Sequence, residues 1–442
     1  LASFLKNTGI VTLSQIGTTV TLMVVGIITA RYLGSDGKGQ LAIALGLGMI
    51  LAQILCMGFD RSATYHLAKG RIETSRVLGS WIITLIIGTL VAYGIIYPLA
   101  ASFLADKFLK GISRPLLFWS SLICPLYMAR LLVNSILGGH KEFFRQTYHN
   151  ISVFAAGIIS AVTALIIMRW GTVGYTKLHI ILGFCSLCFG VYVFLGVVRC
   201  RPVFAVRDWW EMFRYGIKAA LSQIFNLIDL RLDIFIINYF VNNSAVGVYS
   251  VAGAIVGVFC RLADSVSIVL FPTSASLGGD NARVLTALVC RNAVWVTAVL
   301  GGLFLIVSRP VIGFVFGEEF ADASLALMLL MPGVIGQVIS RICFTDCSAR
   351  GEPGKATIAA AVTATLTIGF DLLLIPRYGM YGAAVASSIA YCTGGLLGLF
   401  WHRRLSGNRL RELLVPCRDD IKYYSIVWGK ITSKMNLKMK GS

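Results

Sequence analysis

Twelve stretches of about twenty apolar residues, parted by short polar or glycine-rich breaks, constrain this chain more than any other feature. They fall approximately at 8–33, 40–59, 77–104, 116–137, 148–168 and 173–198 in the first half, and at 213–241, 246–271, 284–307, 323–347, 356–375 and 380–401 in the second. With 57% hydrophobic and 13% charged residues and a mean hydropathy of +0.79, a soluble fold could not hide so much apolar surface. In lipid each backbone amide must be satisfied within its own segment, so runs of this length are helices and not open strands. The expectation is an all-α integral membrane protein. Its first run is too long for a cleavable signal and has no small-residue cleavage site behind it, so it reads as the first span.

The pattern is written twice. Leu13-Ser14-Gln15-Ile16 recurs as Leu221-Ser222-Gln223-Ile224 at an offset of 208, and at the same offset Gly39 meets Gly247 and Ala44 meets Ala252. Near the end of each half, Arg169-Trp170-Gly171-x-x-Gly174 recurs as Arg377-Tyr378-Gly379-x-x-Gly382, while Phe108 aligns with Phe320 and Gly139 with Gly351 at an offset of 212. Six spans is an even number, so the second copy enters the membrane in the same direction as the first. This gives two parallel, pseudo-symmetric six-helix bundles related by an axis along the membrane normal. The lobes are 1–198 and 213–401, joined by a linker at 199–212 and followed by a basic tail at 402–442.

Charge sets the orientation. Placing both termini in the cytoplasm, and counting Arg31, Lys177, Arg214 and Arg291 near the run ends with the adjoining loops, puts 25 Lys/Arg inside, 9 outside and 5 within spans, which together make the 39 of the chain. The net charge of +19 is then mainly a topology signal and does not by itself call for nucleic acid. Within the tail, 421–431 could lie on anionic lipids. The eleven cysteines, including Cys185-x-x-Cys188, read as small core residues, and the histidines form no ligand-spaced cluster.

Three segments carry a family resemblance. Leu374-Ile375-Pro376-Arg377-Tyr378-Gly379-Met380-Tyr381-Gly382-Ala383-Ala384-Val385-Ala386 resembles the C-terminal signature of the polysaccharide-biosynthesis flippases. Asp233-Ile234-Phe235-Ile236-Ile237 with Val246-Gly247-Val248-Tyr249-Ser250-Val251-Ala252, and Ala30-Arg31-Tyr32-Leu33-Gly34-x-x-Gly37-x-Gly39, resemble the same family. The resemblance implies the multidrug/oligosaccharidyl-lipid/polysaccharide exporter fold (MATE-like), with two bundles of six helices around a central cavity. It also implies a flippase for polyprenyl-pyrophosphate-linked oligosaccharide in the bacterial cytoplasmic membrane, in O-antigen, capsule or exopolysaccharide synthesis. Polymerase and glycosyltransferases would then be possible partners.

Charged groups inside spans are default functional candidates because burying them in lipid is costly. Arg130 and Arg341 fall within one residue of each other under the 212 offset, on the polar stripes Tyr127/Arg130/Asn134 and Gln337/Arg341/Thr345/Ser348. Facing each other across a cavity they would suit a pyrophosphate, which guanidinium binds bidentately; the alternative is that each pairs with a carboxylate. Arg231 and Arg261 are further candidates for the same cavity, although Arg261 could simply neutralise Asp264 at i, i+3. Ser222, Asn226, Asp229 and Asp233 make a polar stripe on the seventh span that could hold a coupling H⁺ or Na⁺, or form an interhelical seam. Arg231 lies about 200° around the helix from Asp229. Lys218 snorkels, and Asp346 and Asp371 are buried carboxylates with no assigned partner.

No loop between spans exceeds roughly twenty residues and no P-loop is present, so neither a catalytic domain nor ATP hydrolysis is expected, and no cofactor. The rival readings are a cation-coupled multidrug or small-solute antiporter of the same fold, and a membrane scaffold recruiting glycosyltransferases.

Overall fold

The computed structural model describes residues 2–99, 109–198, 200–277 and 279–417, and among these every regular element is a helix. Arg199 and the expected interfacial segment 421–431 lie outside the described residues, as do the side chains of Lys218 and Ser222. The helices are α1 Ala2–Leu55, α2 Phe59–Ala68, α3 Thr74–Val91, α4 Arg114–Ser121, α5 Ile123–Gly139, α6 Phe143–Ala161, α7 Gly171–Leu195, α8 Val206–Phe240, α9 Asn243–Leu277, α10 Gly279–Phe316, α11 Ala323–Ala349, α12 Gly354–Ser406 and α13 Leu410–Leu414.

Nine segments among the described residues are long and apolar enough to cross a membrane. Two of them hold two of the expected runs each, because the breaks inside them are single glycines and not loops. In α1 the chain turns at Gly34 (φ 68°, ψ 179°), and in α12 at Gly379 (φ 57°, ψ −138°). A positive φ is open to glycine without a Cβ penalty, so the helix is broken for one residue and resumes in a new direction. The seventh run falls within α8. The fourth is stepped at Leu122, between α4 and α5, where Pro125 has no N–H to continue the ladder from Ser121. Large apolar side chains point outward along these helices; Ile306 and Phe314 are each 79% exposed, as lipid-facing positions should be.

Packing divides the chain into two compact units, one of Leu1–Val258, Leu305–Leu330 and Ala360–Ala390, the other of Phe259–Phe304, Met331–Ala359 and Tyr391–Ser442. This grouping differs from the division by repeat. The first unit has a core around Phe59, Trp81, Met128 and Met212, with the Phe59 and Trp81 rings edge to face at 6.1 Å. The second closes over Cys290, Val338, Ile342, Cys343 and Leu413.

The repeat is visible within the first unit as a reciprocal crossing. A Cβ on Gly39 would collide with the Asn243 carbonyl and stand 3.0 Å from the Gly247 nitrogen. A Cβ on Gly247 would collide with the Ser35 carbonyl and stand 3.2 Å from the Gly39 nitrogen. Ser35 and Asn243, like Gly39 and Gly247, are 208 positions apart, so each half offers the other the same carbonyl and the same glycine. Only glycine lets two backbones approach this closely.

In the second unit Asp346, fully buried, is a hub. Its Oδ2 accepts from Arg350 Nε at 2.6 Å and lies 3.1 Å from His402 Nδ1, while Oδ1 accepts from Ser274 and from Thr286 Oγ1 at 3.0 Å. Four helices, α9 to α12, meet at one carboxylate. The chain after α12 is docked beside it. Arg283 Nε donates to Asn408 Oδ1 (2.6 Å), Arg291 to the Glu412 carbonyl (2.8 Å) and Trp295 Nε1 to the Leu414 carbonyl (2.8 Å), and Leu413 is buried.

Candidate functional site

The polar stripe of α5 survives intact. Tyr127, Arg130 and Asn134 lie at i, i+3 and i+7 on one face, and Arg130 is half-buried. No carboxylate among the described residues comes within ion-pair distance of Arg130. Its charge instead reaches the imidazoles of His149 on α6 and His179 on α7, and the Tyr127 hydroxyl. A second guanidinium, Arg231 on α8, also acts on Tyr127, as does Asp60 of α2, which Arg61 holds at 3.6 Å. Arg231 is exposed and no acid pairs with it within ion-pair distance among the described residues. Nearby, α1 and α8 are joined by Gln53 Nε2 donating to Gln223 Oε1 at 2.8 Å. Asn134 Oδ1 is buried without a hydrogen-bond partner. Arg130, Asp60 and Arg231 thus all act electrostatically on Tyr127, from three different helices. Of these charges, the guanidiniums are the groups that can take an anion with several oxygens.

Arg341, the expected counterpart of Arg130, is neutralised. It donates to Asp264 Oδ1 across α11 and α9, so the carboxylate assigned to Arg261 by spacing is taken by Arg341. Arg261 is half-buried on the same helix as Asp264, and Gln337 is half-buried one turn before Arg341. Of the paired arginines that the repeat suggests, only Arg130 has no carboxylate within ion-pair distance among the described residues.

The acidic stripe of α8 acquires a second face. Asp229 and Asp233 are both buried, each 5% exposed, whereas Asn226 is exposed. Opposite them α12 brings Thr363, Thr367 and Asp371, spaced by four and four. Thr367 Oγ1 donates to Asp229 Oδ1 at 2.5 Å, and Asp233 takes the Tyr249 side chain and the Ile234 amide (2.8 Å). Asp371 is fully buried, neither of its oxygens has a hydrogen-bond partner, and it lies within electrostatic reach of both Asp229 and Asp233. Three carboxylates within reach of one another repel when ionised, and Arg231 on α8 is a cation that acts on one of them, Asp233. Sequence reasoning left Asp371 without a role. The stripe Thr363/Thr367/Asp371 in an otherwise apolar run was the signal that could have found it.

Comparison with known proteins gives the following. The family of polysaccharide biosynthesis proteins matches over residues 4–277. A probable low-salt glycan biosynthesis flippase of Haloferax volcanii is 27% identical over 191 residues, 42% of this chain; the chain spans only 40% of that relative's length. A putative O-antigen transporter of Shigella flexneri is 22% identical over 403 residues, covering 85% of this chain and 92% of its own. Among solved structures, an inward-facing multidrug resistance transporter of the MATE family superposes with a TM-score of 0.73 at 15% identity, over 88% of this chain and 94% of the other. The fold is therefore that of the MATE-type exporters.

Proposed function

Because this chain belongs to the polysaccharide biosynthesis protein family, we propose that it is a flippase carrying polyprenyl-pyrophosphate-linked oligosaccharide across the cytoplasmic membrane. The observation that carries this reading is Arg130, half-buried on α5 with no carboxylate within ion-pair distance among the described residues, while Arg231 of α8 acts on the same Tyr127. A cation without a paired acid in an apolar bundle is costly unless an anion visits it, and a diphosphate offers the planar guanidinium a bidentate fit. The sugar would occupy polar groups such as Gln53, Asn134 and Asn226, while the prenyl tail stays in the bilayer. The two lobes, 1–198 and 213–401, would rock about the linker to present the head group to one side and then the other. Both termini face the cytoplasm in this scheme. The reaction is a transfer between leaflets, and no bond is made or broken.

The acids of α8 and α12 supply a place for the driving ion. A proton or Na⁺ entering among Asp229, Asp233 and Asp371 would neutralise them, and its departure would restore repulsion between α8 and α12; this can bias a two-state bundle. Asp371→Asn removes a carboxylate that makes no hydrogen bond. The variant should unfold at a temperature equal to or above that of the wild type, yet lose transfer driven by an imposed ion gradient to background level. A variant that keeps gradient-driven transfer excludes Asp371 from coupling.

The deciding assay is leaflet transfer of a labelled lipid-linked oligosaccharide in liposomes, with and without H⁺ or Na⁺ gradients. Alternating access has its own check at the glycine crossing, where Ser244 Oγ donates to Ser35 Oγ at 2.8 Å. Ser35→Cys with Ser244→Cys should form a disulfide on oxidation that stops transfer, and reductant should restore it. Transfer at the wild-type rate by the cross-linked protein would discard alternating access at this end. Movement of organic cations with no movement of any lipid-linked glycan would favour the antiporter.

A further inference from the structure

The family-like segment Ala30-Arg31-Tyr32-Leu33-Gly34 has a feature that flipping lipid-linked glycan does not by itself explain. At Gly34 α1 breaks, so the amides that follow it begin a new helical stretch and have no carbonyl of their own turn to bond. One of them, Ser35 N, donates to Glu319 Oε2 at 3.0 Å, 284 positions away. At the end of α10 the last carbonyls are orphaned in the opposite sense. There Arg31 caps them, with Nε on the Val315 carbonyl at 2.8 Å and Nη2 on that of Phe314. Each helix end is closed by a charged side chain from the vicinity of the other. The signs are right for both dipoles, a carboxylate at the start of one helix and a guanidinium at the end of the other. Neither side chain forms an ion pair with the other. The same end holds the Gly39–Gly247 crossing and the Ser35–Ser244 hydrogen bond.

We propose that Arg31 and Glu319 form a reciprocal capping latch that holds this end of the bundle shut, and that opening must release both helix ends together. The latch rests on the alternating-access reading but not on the identity of the cargo. Its logic is that of paired orphans. Separating the segments strips Ser35 N of its acceptor and the Phe314 and Val315 carbonyls of their donor, so partial separation gains little and the closed state is held as a unit. Glycine at 34 is required because it breaks α1 at the one residue that frees Ser35 N.

The test uses the full-length protein in detergent, where reagent reaches both ends, with Cys185, Cys188, Cys200, Cys392 and Cys417 replaced by serine and Ser244→Cys as reporter. The rate of labelling of this cysteine by a maleimide reads the open fraction. Glu319→Ala should raise the rate about tenfold, the loss of one charge-assisted hydrogen bond, and Arg31→Ala, which loses two, by more than that. Glu319→Gln should fall between Glu319→Ala and wild type, because the amide oxygen still accepts from Ser35 N without the charge. Arg31→Lys should likewise fall short of wild type, since one ammonium nitrogen cannot reproduce the two separate, coplanar donor nitrogens of the guanidinium. Unchanged labelling in Arg31→Ala and Glu319→Ala would overturn the latch, and so would Glu319→Gln behaving as Glu319→Ala. Labelling needs no cargo. Faster labelling of the variants alongside a wild type that moves no lipid-linked oligosaccharide would leave the latch standing and discard the cargo; slow labelling in variants with wild-type transfer would do the reverse.

Discussion

Arg130→Ala is expected to lower leaflet transfer of lipid-linked oligosaccharide at least about a hundredfold while leaving insertion and thermal stability unchanged. Two charge-assisted hydrogen bonds to a diphosphate contribute about 3 kcal/mol or more between them, and that is two orders of magnitude in affinity. Stability is untouched because Arg130 pairs with no acid among the described residues, so its removal strands nothing. Arg341→Ala should behave in the opposite manner. It leaves Asp264 without its guanidinium, so the protein should unfold at a lower temperature, and adding Asp264→Ala should recover part of the loss. The two arginines occupy near-equivalent places in the repeat, yet of the two only Arg341 has a carboxylate within ion-pair distance among the described residues. Transfer by Arg130→Ala at the wild-type rate, measured at equal protein in the membrane, would remove this residue from the anion site. Arg231→Ala is the companion measurement, with a loss in the same direction.

Gly39→Ala should abolish transfer by a different route. The added methyl has no space beside the Asn243 carbonyl, and forcing it there costs about 1–3 kcal/mol of overpacking. That penalty falls only on the closed crossing, so the population shifts toward its open form by roughly 5- to 150-fold. Gly247→Ala meets the Ser35 carbonyl in the same way, and because both methyls open one crossing, the double variant should be little worse than either single one. The observable is the cross-link between Ser35→Cys and Ser244→Cys, which should form slowly or not at all in either glycine variant. Rapid cross-linking together with full transfer in Gly39→Ala would show that the crossing tolerates a side chain.

The helices were legible from the chain because an apolar run in lipid has one stable backbone form. The offset of 208 also carried real information, since the glycines it aligns as equivalents, Gly39 and Gly247, are a pair that the structure brings into contact. The breaks at Gly34 and Gly379 were harder to read. A glycine between two apolar runs signals a loop as readily as a bent helix, and only tertiary packing decides which forms. The candidate site was legible one helix at a time. Periodicity found the stripe of α5 and the Asp229/Asp233 pair on α8, because residues three and four apart share a face. It could not say that Asp371 faces that pair from α12, nor that Asp264 prefers Arg341 to its own near neighbour Arg261. Those are choices among partners hundreds or tens of residues apart, and helical spacing holds no information about them. Asp346 illustrates the same limit; its partners come from four helices, and only Arg350 stands at a spacing that its own helix reveals.

The glycine crossing carries a last consequence, about ancestry. A residue beside a two-fold axis touches its own twin, and in an interface of that kind the same surface serves both partners. A chain of half this length, bearing the pattern once, would make the same contact by pairing with a second copy of itself, Ser35 carbonyl to glycine and glycine to carbonyl. Fusion into one chain would leave that contact unchanged while freeing every position away from the axis to diverge. The acids of α8 and α12 are such divergences, set on one half only, beside a crossing whose contacts remain reciprocal.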